Sequence, residues 1–315
     1  MTAGTEPTTR RVALTGFPKA ARRGVGDPRP KRELAAYAFL APYLVLFTAF
    51  VLLPAGIGLW MSLHDWTYLG PHPWSGFANY TRLFHLDHAI GHFYWQSMAN
   101  TGIFVVLSVP LLVVIPLAVA LVMNAKIPGR NFFRAIYFAP YVLGVAVIGI
   151  LWRFMLDPNS GIVNNYLHHA FPWTTDLPWA WISLVGVTVW WTLGFNAVIY
   201  LAGLQDISAE LYEAARIDGA TKWQQFRHVT LPGLSPVMVF VTTVTLIASA
   251  NMFGQSLLIT AGAPSHETRT AVMYIADEGL RSYRLGQAAA MSFVLALFLA
   301  ILGVVNFRVF RNKGA

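Results

Sequence analysis

The chain has 315 residues, 56% of them apolar and only 11% charged, with a mean hydropathy of +0.53. A soluble domain carries about twice that share of charge, and the apolar residues cluster into runs near or above the roughly 20 that cross a bilayer, which argues against a soluble fold. The absence of cysteine excludes disulfides, thiolate catalysis and Cys-based metal sites. Most of the Lys and Arg behind the net charge of +8 lie beside apolar runs, so they suit orientation in a bilayer better than contact with nucleic acid.

Residues 1–33, rich in Gly, Pro, Thr and Arg, read as a disordered basic tail able to touch anionic lipid. No apolar stretch begins before position 35, so no cleaved signal peptide is expected. Six spans follow within residues 34–310: Leu34–Leu63, Ala99–Met123, Ala135–Met155, Trp179–Leu204, Val237–Ile259 and Ala288–Phe310. Residues 311–315 form a short tail. The expected fold is therefore an all-α integral membrane protein with six transmembrane helices. Seventeen of the 22 Lys and Arg fall in the leading segment, after spans two and four, and in the tail, which places both termini in the cytoplasm. Arg82, Arg153, Arg269, Arg281 and Arg284 lie on the other side, the last three accompanied by Glu267, Asp277 and Glu278.

No Asp, Glu, Lys or Arg falls well inside a span; Glu33, Asp65, Arg134 and Arg153 stand at the margins. Proton-coupled carriers use intramembrane ionisable groups as relays, so their absence argues against proton coupling. Sodium coupling survives, because backbone carbonyls can hold that ion. No Gly-x-x-x-x-Gly-Lys-Ser/Thr phosphate loop occurs, so an energy source would have to come from outside the chain.

A polar, helix-prone island separates spans four and five. Ser208 can cap a short helix whose first turn holds Glu210, and Gly219 supplies a left-handed stop. Thr221 and Gln224 form a capping box for a second helix that carries Trp223, Phe226 and Val229 on one side. Pro232 then marks the start of span five. These features predict a helix, a glycine elbow and a second helix lying along the membrane, a pattern an ordinary interfacial helix could also produce.

Glu213-Ala214-Ala215, Asp218-Gly219-Ala220 and Leu231-Pro232 resemble the EAA loop of ABC importer permeases. The longer string from Glu210 to Ala220 resembles the carbohydrate-uptake branch, the maltose and glycerol-phosphate type. Phe77-Ala78-Asn79-Tyr80 and Gly286-Gln287-Ala288-Ala289 are weaker matches. The resemblance implies the type I ABC importer permease architecture in the bacterial cytoplasmic membrane. It implies a coupling loop, residues 205–236, that docks in a cleft of a partner ATPase. Glu210, Glu213, Ala214, Ala215, Arg216, Asp218, Gly219, Trp223 and Phe226 would carry that contact. ATP and Mg would belong to two ATPase subunits. A second permease in a heterodimer and an extracellular substrate-binding protein would complete the machine. Ser208 stands where the family commonly has Pro, and Ala261-Gly262-Ala263-Pro264 replaces a more glycine-rich turn.

Thr242, Thr245, Ser249, Met252 and Ser256 recur at helical spacing, so in one continuous helix they share a face. That stripe suits either helix packing with hydroxyls bonded to their own backbone or a polar pathway. The resemblance favours a pathway, since Thr245, Ser249 and Met252 fall where maltose-type permeases line the sugar site; Ser256 continues the stripe, and the family's amide-rich pattern is not reproduced, with Asn251 and Gln255 pointing elsewhere. In span four Trp190, Leu193, Gly194 and Ala197 share one face and Thr188, Thr192, Asn196 and Tyr200 another. The Leu193-Gly194 match favours the Trp190 face, and Trp190 or Trp191 suits stacking on a neutral sugar. His85, His88 and His92 have a spacing that could gather a metal on one helix face, yet neither they nor His168-His169 make a convincing site. No metal, cofactor or catalytic constellation is expected in this chain.

The leading reading is the permease subunit of an ATP-driven importer of a sugar or oligosaccharide. The same machine carrying glycerol-3-phosphate or a glycerophosphodiester is the alternative, disfavoured because a phosphate calls for Arg or a helix N-terminus and no span holds a central Arg. A stand-alone secondary carrier is more distant, and an intramembrane enzyme lacks the groups it would need.

Overall fold

A computed structural model describes residues 30–125 and 128–311. The expectations for residues 1–29, for Lys126 and for residues 312–315 lie outside them. The described residues are helical, with no strand beyond the single bridges His64–Trp74 and Thr67–Arg284. The chain divides into two compact units at Ala55 and Gly56. In the first, α1 (Pro30–Phe47) leads into a π-helical turn, Thr48–Leu52. Pro30 is already helical, so residues 30–33 are not the irregular tail expected of them.

The second unit holds the rest, beginning with α2 (Leu53–Ser62), whose first turn precedes the boundary. Then come α3 (Ala78–Phe84), α4 (Ala89–Asn124), α5 (Arg130–Val142), α6 (Val145–Met155) and α7 (Ile162–Leu167). They are followed by α8 (Trp179–Asp206), α9 (Ala209–Ile217), α10 (Lys222–Gln225), α11 (Leu231–Ala250), α12 (Ala271–Ala276) and α13 (Leu285–Arg311). Five helical stretches are long and apolar enough to cross a membrane: Phe39–Ser62, Ala89–Asn124, Trp179–Asp206, Lys222–Ala250 and Leu285–Asn306.

The third expected span is broken. α5 and α6 meet at 96°. Pro140 has no N–H to give to the helix, and Leu143 and Gly144 are extended. The Leu143 carbonyl released by the break accepts from Trp191 Nε1 at 3.0 Å, so the bend leaves that carbonyl satisfied.

The fifth expected span also ends early. Asn251 leaves helical geometry, and its side chain competes for the Ile247 carbonyl at 2.9 Å. The chain turns through Met252 and Phe253 before a π-helical turn, Ser256–Thr260. The five-residue stripe from Thr242 to Ser256 is therefore not one helix face. At its other end α11 is longer than expected. α10 passes through a π-helical turn, Phe226–Thr230, directly into α11, so the second elbow helix is the first turns of the crossing helix rather than a separate element.

α4 runs through the middle of the packing. Its Phe104 joins Ile148, Trp181, Leu184, Met252 and Ile259. Tyr94 and Met98 join Leu83, Tyr274 and Met291. Leu117, Ala120 and Met123 join Tyr200, Leu204, Leu234 and Val241. Buried polar groups tie the helices where no water competes. Asn196 Nδ2 on α8 donates to the Leu112 carbonyl at 3.1 Å, Ser108 Oγ meets Ser249 Oγ at 3.2 Å, and Tyr94 OH donates to the Met291 carbonyl at 3.0 Å.

Three of the five cations that run against the expected charge bias are accommodated locally. Arg281 pairs with Asp277 at 3.2 Å and Arg284 with Glu278 at 3.4 Å. Arg269, only 7% exposed, lies over the rings of Phe93 and Tyr274 at 5.2 and 4.5 Å. Burial pulls its guanidinium below the ordinary value, partly offset by Tyr274, Asp277 and Glu278. His85, His88 and His92 do not share a helix face, because α3 ends before His85 and α4 begins after His88. Among the described residues no three His, Asp or Glu side chains converge as metal ligands.

Candidate functional site: a cavity between helices and an exposed elbow

A cavity of about 360 Å³ lies between α4, α5, α8, α11 and the turn 251–255. Its aromatic side is Tyr141, Trp191 and Phe195, with Tyr141 and Phe195 stacked at 4.7 Å and 17°. Its polar side is Thr188, Thr192, Asn196, Thr245, Ser249, Asn251 and Gln255. Thr188, Thr192 and Thr245 donate to carbonyls one turn back in their own helices, which leaves their oxygen lone pairs as acceptors. Lys, Arg, Asp and Glu are absent from the lining. Hydroxyls, amides and flat rings with no net charge can hold a neutral polar molecule by its rim and its C–H face.

Of the sequence candidates, Trp191, Thr245, Ser249 and Met252 line this cavity, and Trp190, Leu193, Gly194, Ala197 and Ser256 do not. The opening is thus on the Thr188–Thr192–Asn196 side of α8, away from the favoured Trp190 face. The reason is packing. A Cβ added at Gly194 would lie 2.2 Å from the Tyr137 carbonyl oxygen, so Gly194 is used for close approach of α5. Ala197, buried beside it, faces a small gap bordered by Arg134 and Tyr137. Trp190 packs edge-to-face on Trp152 at 5.3 Å. Ser256 is fully buried and donates to the Thr268 carbonyl.

The second feature is the elbow between α8 and α10. Ser208 Oγ accepts from the Glu210 amide at 3.2 Å and starts α9. α9 ends in a Schellman motif: the Gly219 amide donates to the Arg216 carbonyl at 3.1 Å and the Ala220 amide to the Ala215 carbonyl at 2.9 Å. Gly219 has φ +75°, a conformation that glycine adopts without penalty. Thr221 and Gln224 cap each other reciprocally. Tyr212 OH meets Thr230 Oγ1 at 3.0 Å and pins α9 to the following helix.

Glu210, Glu213, Ala214, Arg216, Asp218, Gly219 and Trp223 are exposed, and Ala215 and Phe226 are half-buried. Trp223 and Phe226 lie 5.4 Å apart. Ile217 is 87% exposed and Trp223 67%, large apolar side chains held out on an otherwise polar turn.

Residues 91–312, which take in all but the first two residues of α4 and every later element, match the model of the family described as binding-protein-dependent transport system inner membrane component. The chain belongs to this family. The inner membrane component is 31% identical to the lactose transport system permease of Rhizobium radiobacter, over 89% of this chain and 95% of that one. It is 30% identical to the diacetylchitobiose uptake system permease of Streptomyces coelicolor, over 94% and 89%. Its fold matches a chain of a bacterial alginate ABC transporter crystallised with an alginate pentasaccharide-bound periplasmic protein. That match has a TM-score of 0.77 and 25% identity, and covers 90% of this chain and 96% of that one. The inner membrane component is thus a multi-pass ABC transporter permease.

The permease's cavity draws on residues that sequence periodicity missed. Tyr141 comes from α5, just before the bend, and Phe195 from α8. Asn251 and Gln255 line the cavity instead of pointing elsewhere, because the chain turns after Ala250. Asn251 and Pro140 are the local signals that could have located both breaks.

Proposed function

We propose that the permease carries a neutral sugar or oligosaccharide inward through the cavity of Trp191, Tyr141, Phe195 and Asn196. On this reading it makes six crossings, with α5 and α6 forming one bent crossing. Both termini and the 207–221 elbow face the cytoplasm. The observation that carries the proposal is the exposed, internally capped elbow on a chain whose family is defined by binding-protein-dependent transport. A partner ATPase would grip Glu213, Ala214, Gly219, Ile217 and Trp223 there, and ATP and Mg would bind that partner. A second permease, a second ATPase subunit and an external binding protein complete the assembly. The lactose, diacetylchitobiose and alginate relatives support a saccharide as cargo. A glycerol phosphate is not proposed, since the cavity presents no cation to its charge.

The test is uptake by the complete transporter with a panel of saccharides, with and without vanadate. Uptake of at least one sugar should require the binding protein and stop with vanadate. Trp191→Ala should raise the KM for that sugar by about tenfold, the loss of roughly 1.4 kcal/mol of stacking. Uptake indifferent to vanadate, or a Trp191→Ala variant with unchanged KM, would contradict the reading.

A further inference from the structure

The strings Phe77-Ala78-Asn79-Tyr80 and Gly286-Gln287-Ala288-Ala289 are about 200 residues apart in the chain, yet they meet. Gln287 Nε2 donates to the Asn79 carbonyl at 3.2 Å, and Asn79 Nδ2 donates to the carbonyls of Ser62 and His64, both at 2.9 Å. The Gly286 amide donates to the Trp66 carbonyl at 3.0 Å, and a Cβ at Gly286 would lie 2.2 Å from the His64 carbonyl oxygen. The end of α2 and the starts of α3 and α13 are thus fastened together around one cleft of about 490 Å³, which the start of α4 also borders. It is bordered by Asp65, Trp66, Asn79, Arg82, Arg284 and Gln287, among others.

This cleft shares no residue with the central cavity. Asn79 and Gln287 are 1% and 4% exposed, and Gln287 Oε1 is a buried acceptor with no donor. Arg82 and Arg284 bring donors, Asp65 and Thr67 bring acceptors, and Trp66 brings a ring already backed by His72 at 4.0 Å and 7°. Asp65 borders the cleft together with Arg82 and Arg284, and Glu278, just outside the lining, holds Arg284 at 3.4 Å, so two cations and two acids lie in and beside the cleft. A hydroxyl can both donate and accept, so it suits a lining of mixed donors and acceptors. The volume is within the roughly 300–1,000 Å³ usual for small-molecule sites.

We propose that this cleft, at the ends of the spans, is a second saccharide-binding site which holds one end of a neutral oligosaccharide. The proposal rests on the saccharide reading above for its class of ligand. On the six-crossing reading the cleft lies on the side opposite the 207–221 elbow, because it gathers the chain after the first crossing and before the second and sixth.

The test is saturation-transfer NMR on the full chain in nanodiscs with maltopentaose, cellopentaose and an alginate pentasaccharide. At least one neutral pentasaccharide should bind. Trp66→Ala and Arg82→Gln, two side chains with few structural ties, should each weaken that binding by about tenfold, while Trp191→Ala leaves it in place. Binding that depends on Trp191 and ignores Trp66 and Arg82 overturns the external site but leaves the saccharide carrier standing. So does the absence of binding by a chain whose complete transporter still imports a sugar. Preference for the acidic pentasaccharide overturns the charge argument. If the two variants weaken only docking of the binding protein, the cleft is a protein contact and the proposal fails. Failure of the complete transporter to import any sugar would sink the carrier reading as well.

Discussion

Gly219→Pro should leave the permease in the membrane at normal yield and abolish uptake. Proline holds φ near −65°, whereas Gly219 stands at +75°. The substitution also removes the amide that donates to the Arg216 carbonyl, so both halves of the elbow's turn fail together. The local cost is about 3 kcal/mol or more, but α9 is exposed and contributes nothing buried to the apolar clusters. The damage should therefore stay in the elbow, changing where Ile217 and Trp223 point and sparing the spans.

Two further substitutions grade the effect. No atom lies within 4 Å of a Cβ at this position, so Gly219→Ala meets only the left-handed penalty of about 1–2 kcal/mol. It should retain part of the uptake. Gly219→Asn, whose side chain tolerates that conformation, should be close to the natural protein. Membrane yield by size exclusion and uptake by the complete transporter, measured on the same preparations, separate folding from coupling. Full uptake by the proline variant would remove the elbow from the mechanism. A proline variant missing from the membrane would show that the elbow serves assembly instead.

Features governed by neighbouring residues were readable without coordinates. The caps at Ser208 and Thr221, the reciprocal Gln224 and the left-handed Gly219 depend on residues two to five apart, and hydropathy locates the apolar runs. Features set by backbone direction or by a partner helix are not readable in this way. An apolar run has the same hydropathy whether it is straight or bent by 96°, so the break after Val142 was invisible except through Pro140 and Gly144. The stripe from Thr242 to Ser256 assumed a helix that Asn251 terminates. Leu193-Gly194 is a local match that marks one face of α8, and at Gly194 that face carries α5. Periodicity states which residues share a side of a helix; it does not state which neighbour takes that side.

Gly194→Ala and Gly186→Ala should move stability in opposite directions, though both add one methyl to the same helix. At Gly194 the new Cβ would lie 2.2 Å from the Tyr137 oxygen and 2.6 Å from the Phe138 Cα. Both are backbone atoms and cannot rotate away, so α5 must retreat from α8 by about an ångström, and overpacking of this kind costs roughly 3 kcal/mol. The retreat would pull on the bond from Trp191 to the Leu143 carbonyl and part the Tyr141–Phe195 stack, so the cavity wall would open as the helices separate. Uptake should fall with the unfolding midpoint. At Gly186 nothing lies within 4 Å, and alanine there gains the helix preference of about 1 kcal/mol with no clash. Thermal unfolding of both variants in one detergent checks the pair. A Gly194→Ala variant as stable as the natural protein would mean that α5 does not rest on α8 through Gly194, and the placement of the cavity on the Asn196 side would lose its physical basis.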